Sequence, residues 1–182
     1  SEAAQYRLRL LCAAKWLPEF DWPAVDDASL LDTLEAWLLP QMGGIRSLRD
    51  LQSLDVGQAL QQALPWSLRQ RLDSELPGHY TVPTGSRIAI RYHEDNPPAL
   101  AVRMQEMFGE ATTPTIAQGR VALVLELLSP AQRPLQITRD LGAFWAGTYR
   151  EVQKEMKGRY PKHVWPDDPA NTAPTRRTKK YS

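Results

Sequence analysis

The sequence predicts an α+β fold: an N-terminal helical array followed by a mainly antiparallel sheet, packed with a long C-terminal helix and an extended Pro/aromatic strap. Three observations carry this expectation. Apolar residues recur at three-and-four spacing through residues 2–76 and again over 141–156, the signature of helices with one buried face. From Arg87 to Met104 the pattern changes to alternation, the period of a half-buried strand. Gly158–Pro169 then packs three prolines, two aromatics and a histidine into twelve residues, a proline density no regular element tolerates. Strands and helices segregated along the chain and joined by short turns argue for an antiparallel sheet with helices against it. The expected organisation is a helical subdomain over 1–78, an α+β subdomain with its strap over 79–169, and a basic flexible tail over 170–182.

In the first half, Ala3, Tyr6, Leu10, Ala14 and Leu17 form one helical stripe, ended by Pro18. Asp26 or Asp27 supplies the next N-cap, and Leu30, Leu31, Leu34, Trp37 and Leu38 continue inward until Pro40 and Gly43-Gly44. Ser47–Leu51 reads as a short helix with Ser47 and Asp50 as capping pair. Asp55 starts another, burying Val56, Ala59, Leu60, Ala63 and Leu64. Pro65 suits the first position of a further helix lined by Leu68, Leu72 and Leu76. Burial accounts for every one of these stripes.

In the second half, Ile88, Ile90 and Tyr92 share one strand face, with Arg87 and Arg91 on the other. His93–Pro98 is turn chemistry, and Ala99–Met104 is the returning strand with Arg103 outward. Gln105–Gly109 reads as one helical turn and Thr115–Gln118 as a short strand. Val121–Leu128 is apolar on both sides, as in a strand covered on both faces. Leu135–Ile137 suggests another strand. Asp140 caps a long helix to Lys157 that buries Leu141, Phe144, Trp145, Thr148, Val152 and Met156, with Gly158 at its C-terminal stop.

Hydrophobic residues at 42% and six Trp suffice for packed interiors in one domain or two small subdomains, and 15 Pro favour several short elements. The net charge of +1 conceals an asymmetry. From Lys154 onward eight Lys/Arg meet only Glu155, Asp167 and Asp168, a local +5, whereas residues 1–153 carry −4. Such a basic end suits an acidic partner. The lone Cys12, set in a helical stripe, excludes an internal disulfide framework and reads as a small buried hydrophobe of a reducing compartment. With no membrane-length apolar run and no basic-then-apolar leader, a cytoplasmic location is expected.

Catalytic and metal chemistry find little support. No Gly-x-x-x-x-Gly-Lys-Ser/Thr loop is present to cradle phosphates. One Cys and three scattered His do not supply a zinc set, and His93-Glu94-Asp95 reads as a solvated turn. Ser129 lacks the flanking glycines of a nucleophile elbow, and Asp167-Asp168 lies between prolines as a turn. No catalytic residue and no metal ligand is therefore assigned. Cations remain. Arg87, Arg91 and Arg103 share the sheet's outer face if the strands pair in suitable register, where they either hold phosphates or merely solubilise the face. Arg159, Lys162, His163 and Trp165 on the strap, with Arg176, Arg177, Lys179 and Lys180 on the tail, form the stronger nucleic-acid candidate, since cations neutralise phosphates and an aromatic stacks on a base. Tyr160 and Trp165 serve equally well as staples onto the core.

Six stretches together resemble one family: Val82-Pro-Thr-Gly-Ser86, Arg103-Met-Gln-Glu-Met-Phe-Gly109, Leu127-Leu-Ser-Pro130, Arg133-Pro-Leu-Gln-Ile-Thr138, Asp140-Leu-Gly-Ala-Phe-Trp145 and Gly158–Pro169. Leu34-Glu-Ala-Trp-Leu38 and Leu64-Pro-Trp66 add to the match. They resemble the C-terminal region of the HrpB-type bacterial DEAH/DExH-box ATP-dependent RNA helicases. The resemblance implies a parent enzyme that hydrolyses ATP and acts on RNA, with ATP and Mg²⁺ expected only in its motor domains and no cofactor in this chain. It implies for this chain only the role of a terminal accessory domain attached behind the motor domains of the same parent; the expected partner of its basic end is RNA or other nucleic acid, with another protein as the alternative and no membrane. Two functions follow as expectations: an accessory nucleic-acid-binding domain, or an interaction domain that docks on the helicase core or another protein.

Overall fold

The computed structural model describes residues 2–43 and 56–179. The expected stop at Gly44, the helix at Ser47–Leu51, the helix start at Asp55, the buried side chains of Leu34, Trp37 and Val56, and the tail residue Lys180 lie outside this description. The chain divides into two compact units: Ser1–Pro77 with Tyr92–Asn96, and Gly78–Arg91 with Pro97–Ser182.

The first unit is helical. Helix α1 (Glu2–Trp16) buries Tyr6, Leu10, Cys12 and Ala13. The inward alanine is thus Ala13 and not the expected Ala14, because the stripe steps by three from Leu10 before Leu17 closes it. Asp26 caps α2 (Asp27–Asp32), its Oδ1 accepting the Ser29 N–H at 3.0 Å. The expected single helix here breaks at Thr33, and α3 (Leu34–Trp37) restarts beyond it. The break leaves Leu31, expected inside, 72% exposed. Helix α4 (Val56–Ala63) lies so close to α1 that a Cβ on Gly57 would stand 2.6 Å from the Ala3 Cα. Ala63, expected inside, is exposed. Pro65 is the N-cap of α5 (Trp66–Glu75), one position before the one expected.

Tyr92–Asn96, expected simply as a strand end and turn, is held by α1. Gln5 Nε2 donates to the Tyr92 carbonyl at 3.2 Å while its Oε1 accepts the Tyr92 N–H at 2.8 Å. Cys12 Sγ donates to the His93 carbonyl and Lys15 Nζ to the Glu94 carbonyl. Burial pushes the Cys12 thiol up to about 11, so it stays protonated and packs as a small hydrophobe.

The second unit holds a five-stranded sheet in the order β1 (His79–Thr81), β2 (Arg87–Arg91), β3 (Ala99–Arg103), β6 (Val124–Leu128) and β7 (Pro134–Thr138). The sheet is mainly antiparallel, with β3 and β6 its parallel pair. The connection between those two carries a 3₁₀ turn at Met104–Met107 and a two-stranded ribbon of β4 (Thr115–Ile116) and β5 (Val121–Ala122). Val121–Leu128 is therefore two strands, separated at Leu123. Leu125 and Leu127 are fully buried, but Val124, Glu126 and Leu128 are half-exposed, so β6 is covered on one face and not on both. Ile137 of β7 is 64% exposed.

The expected long C-terminal helix is two helices, α6 (Leu141–Ala146) and α7 (Tyr149–Arg159). The break at Gly147-Thr148 advances the phase by one residue, so Tyr149 is buried in place of Thr148. Phe144, Trp145 and Tyr149 pack ring on ring, with Trp145 and Tyr149 centroids 5.3 Å apart. Gly158 does not stop α7. Helical turns continue to Arg159, and Tyr160 is the C-cap, its N–H donating to the Met156 carbonyl at 2.7 Å.

Candidate nucleic-acid interface

The strap is fastened before it is displayed. Trp165 is buried, with its indole N–H donating to the Tyr160 carbonyl at 2.9 Å. From α7, Gln153 Nε2 donates to the Trp165 carbonyl at 3.0 Å and to Asp167 Oδ1 at 2.8 Å. The Tyr149 hydroxyl donates to the Pro166 carbonyl at 2.6 Å. Prolines leave the strap without a ladder of its own, so side chains of α7 satisfy its carbonyls. Asp167 titrates below the usual carboxylate range, first through the Gln153 hydrogen bond and then through Lys157. Trp165 is thus a staple; its ring is not free to stack on a base.

The chain beyond the strap was expected to be a flexible tail, yet residues 170–179 are tied back onto the second unit. The Pro169 carbonyl accepts the Gly109 N–H at 2.9 Å, the Thr175 N–H donates to the Gln105 carbonyl at 3.1 Å, and the Lys179 N–H donates to the Lys162 carbonyl at 2.6 Å. Backbone bonds of this kind offset ordering entropy that the tail's composition alone does not.

Beneath this segment lies a polar cluster that the sequence pattern did not single out. The Glu106 side chain is only 4% exposed. Its Oε1 accepts from Thr84 Oγ1 and Ser86 Oγ, each at 2.7 Å, and its Oε2 from Arg103 Nε at 3.2 Å. Arg176 joins from the terminal segment, donating to Ser86 Oγ at 3.1 Å with its Nε 4.0 Å from Glu106. A buried carboxylate persists only when paired and hydrogen-bonded, and this one is both. Next to it, the buried Gln105 reaches His163, Nε2 to Nδ1 at 3.2 Å. Desolvation holds His163 below the ordinary imidazole pKa, with the Arg177 backbone opposing that shift and Arg103 adding to it. The available signal was a Gln-Glu pair inside the apolar run Met104–Phe108, where polar side chains require partners.

The sheet arginines do not form an open row. Alternation and register place Arg91, Arg103 and Glu126 on one face, and there Arg91 pairs with Glu126 while Arg103 pairs with Glu106. Arg87 is exposed at the start of β2. Arg159 pairs with Glu155 one helical turn back at 3.5 Å and leans over the Tyr160 ring. Lys162, Arg176, Arg177 and Lys179 are exposed, and the Lys179–Lys162 bond draws strap and terminal segment into one basic seam. A recess of about 430 Å³ opens in that seam, lined by Lys157, Pro161, His163, Val164, Trp165, Pro166 and Lys179. Among the described residues no group of three His, Cys, Asp or Glu is placed to hold a metal ion, and no helix is long and apolar enough to cross a membrane.

Comparison with known proteins agrees with this architecture. The ATP-dependent RNA helicase HrpB of Escherichia coli strain K12 is 84% identical over all 182 residues, and the chain spans 22% of that protein's length. A crystal structure of the E. coli DExH-box NTPase HrpB superposes with a TM-score of 0.94 at 83% identity, covering 98% of this chain and 22% of that one. A second, of the Escherichia coli DEAH/RHA helicase HrpB, gives 0.79 at 80% identity, covering 91% of this chain and 21% of that one. The family described as ATP-dependent helicase C-terminal matches residues 37–169, and the chain belongs to this HrpB C-terminal family.

Proposed function

We propose that this chain is a non-catalytic accessory domain of an ATP-dependent RNA helicase, which helps the parent's motor hold RNA in the cytoplasm. The observation that carries the reading is the Lys179 N–H to Lys162 carbonyl bond at 2.6 Å, which sets two cation-bearing segments side by side. Exposed lysines and arginines along such a seam neutralise backbone phosphates and release condensed counterions. On this reading ATP and Mg²⁺ act in the motor domains of the parent, since the sequence of this chain holds no Gly-x-x-x-x-Gly-Lys-Ser/Thr loop to cradle phosphates. Fluorescence anisotropy with a labelled oligoribonucleotide across a salt series tests the seam. Affinity is expected to fall as salt rises, and the double change Lys162→Ala, Lys179→Ala should flatten the log–log slope by about 1.4, at roughly 0.7 per phosphate contact for a single strand. An absence of binding at low salt overturns the reading.

A docking role has its own support in the helical unit, where Leu31, Leu39 and Trp66 are 72%, 58% and 67% exposed. Large exposed apolar side chains suit a protein surface, here that of the parent's motor domains. Capture of the separately expressed motor segment should then fail for Trp66→Ala while RNA binding is unchanged. Unaltered capture by Trp66→Ala rules this surface out.

A further inference from the structure

We infer that the recess between the strap and the terminal segment is a seat for one unstacked nucleotide, making the domain selective for single-stranded RNA. The inference rests on the basic-seam reading and deepens it. The recess has two kinds of wall. Lys157 from α7 and Lys179 from the terminal segment line it as cations, while Pro161, Val164, Pro166 and the buried Trp165 supply apolar lining. Its volume of about 430 Å³ falls within the roughly 300–1,000 Å³ of small-ligand sites.

The chemistry that fits is a phosphate next to an exposed flat ring. The lysines take the phosphate as mobile point charges. His163 does not compete for it as a cation, since desolvation and the Arg103 charge favour the neutral ring against the opposing pull of the Arg177 backbone, and Nδ1 is engaged by Gln105. Its ring stands between Tyr160 and Trp165, with centroids 6.3 and 6.4 Å away, and contributes an aromatic wall. Asp167, the nearby acid of the strap, accepts from Gln153 and already draws on the charge of Lys157, so Lys179 is the principal phosphate cation. A base leaves water for the proline, valine and aromatic wall only if it is already unstacked, which duplex geometry forbids.

The recess is also held to shape. Gln153 and Tyr149 hold two of its lining residues at the Trp165 and Pro166 carbonyls, and the Lys162 carbonyl fixes the Lys179 backbone beside them. A seat preorganised in this way avoids much of the ordering cost of binding.

The test measures anisotropy of the full chain with a labelled single-stranded oligoribonucleotide and with the same sequence as a blunt duplex, at one low salt concentration. The wild type should prefer the single strand by at least about tenfold, the scale of one base–aromatic contact. Val164→Phe fills the recess without changing charge and should bring that preference close to parity, while salt-dependent duplex binding persists. Photocrosslinking of 4-thiouridine RNA to the wild type, mapped by mass spectrometry, should mark Pro161–Pro166 whether or not the variant folds. Equal single-strand and duplex affinity in the wild type, an unchanged preference in Val164→Phe, or crosslinks confined to other segments overturns the nucleotide seat but leaves the seam reading standing. Failure to bind either RNA overturns both.

Discussion

Replacing Trp165 with alanine separates a staple from a stacking platform. The ring is buried at 4% exposure, its N–H donates to the Tyr160 carbonyl, and its own carbonyl is held by Gln153. Truncating a buried Trp to Ala costs about 3–5 kcal/mol through lost burial and the cavity left behind. The Tyr160 carbonyl loses its donor on a residue that is only half-buried, so its cost is taken within that range. We therefore expect a loss of about 4 kcal/mol, a large share of the roughly 5–15 kcal/mol that holds a domain. Urea unfolding followed by far-ultraviolet circular dichroism measures this without relying on the tryptophan that is removed. Amide exchange across Tyr160–Pro166 should quicken in parallel. Lys162→Ala, an exposed change on the same strap, should stay within about 0.5 kcal/mol. A stability loss below about 1 kcal/mol for Trp165→Ala, with RNA affinity abolished, would refute the reasoning and return Trp165 to the role of base platform.

Glu106→Ala should cost about 2–3 kcal/mol in denaturant titration, since it strands the Thr84 and Ser86 hydroxyls and unpairs Arg103, whose side chain is 28% exposed and so partly solvated. Glu106→Gln keeps an acceptor and should cost less. For His163, the folded pKa lies below the ordinary 6.5, so the unfolded chain binds more protons as pH falls through that interval. Stability from this residue is complete above about pH 6.5 and is lost below it; the wild type should lose more stability than His163→Gln between about pH 7.5 and 5.5. Gly57→Ala should destabilise the helical unit in a thermal melt. Its Cβ would meet the Ala3 Cα at 2.6 Å, and overpacking of about 1–3 kcal/mol outweighs the helix-propensity gain of at most about 1 kcal/mol.

Much of the secondary structure was legible because periodicity is a local property. Alternation at Arg87–Tyr92 and Ala99–Met104 located two strands, and Asp140 and one of the pair Asp26-Asp27 were readable as caps through the short side-chain oxygen offered to a nearby N–H, the structure choosing Asp26. Breaks were harder to see. Thr33 and the Gly147-Thr148 step interrupt apolar stripes that continue in sequence, and the phase slip that favours Tyr149 over Thr148 depends on which rings Phe144 and Trp145 find beside them. The site was legible in part: the strap's cations stood out, but the roles of Gln105, Glu106 and Gln153 depend on partners up to 70 residues away, the span from Glu106 to Arg176.

By itself, the chain's order of residues determined the α+β class, the helical first half, the proline-bound strap and the concentration of positive charge at one end, all of which follow from spacing, ring constraint and composition. Only the tertiary structure decided that Trp165 faces inward, that Arg91 and Arg103 are matched by Glu126 and Glu106, and that residues 170–179 close over the strap. The reason is physical. A local pattern states what a residue prefers to do with water and with its near neighbours, whereas a buried carboxylate or a tied-down terminal segment is stable only when groups distant in the chain arrive together to satisfy it.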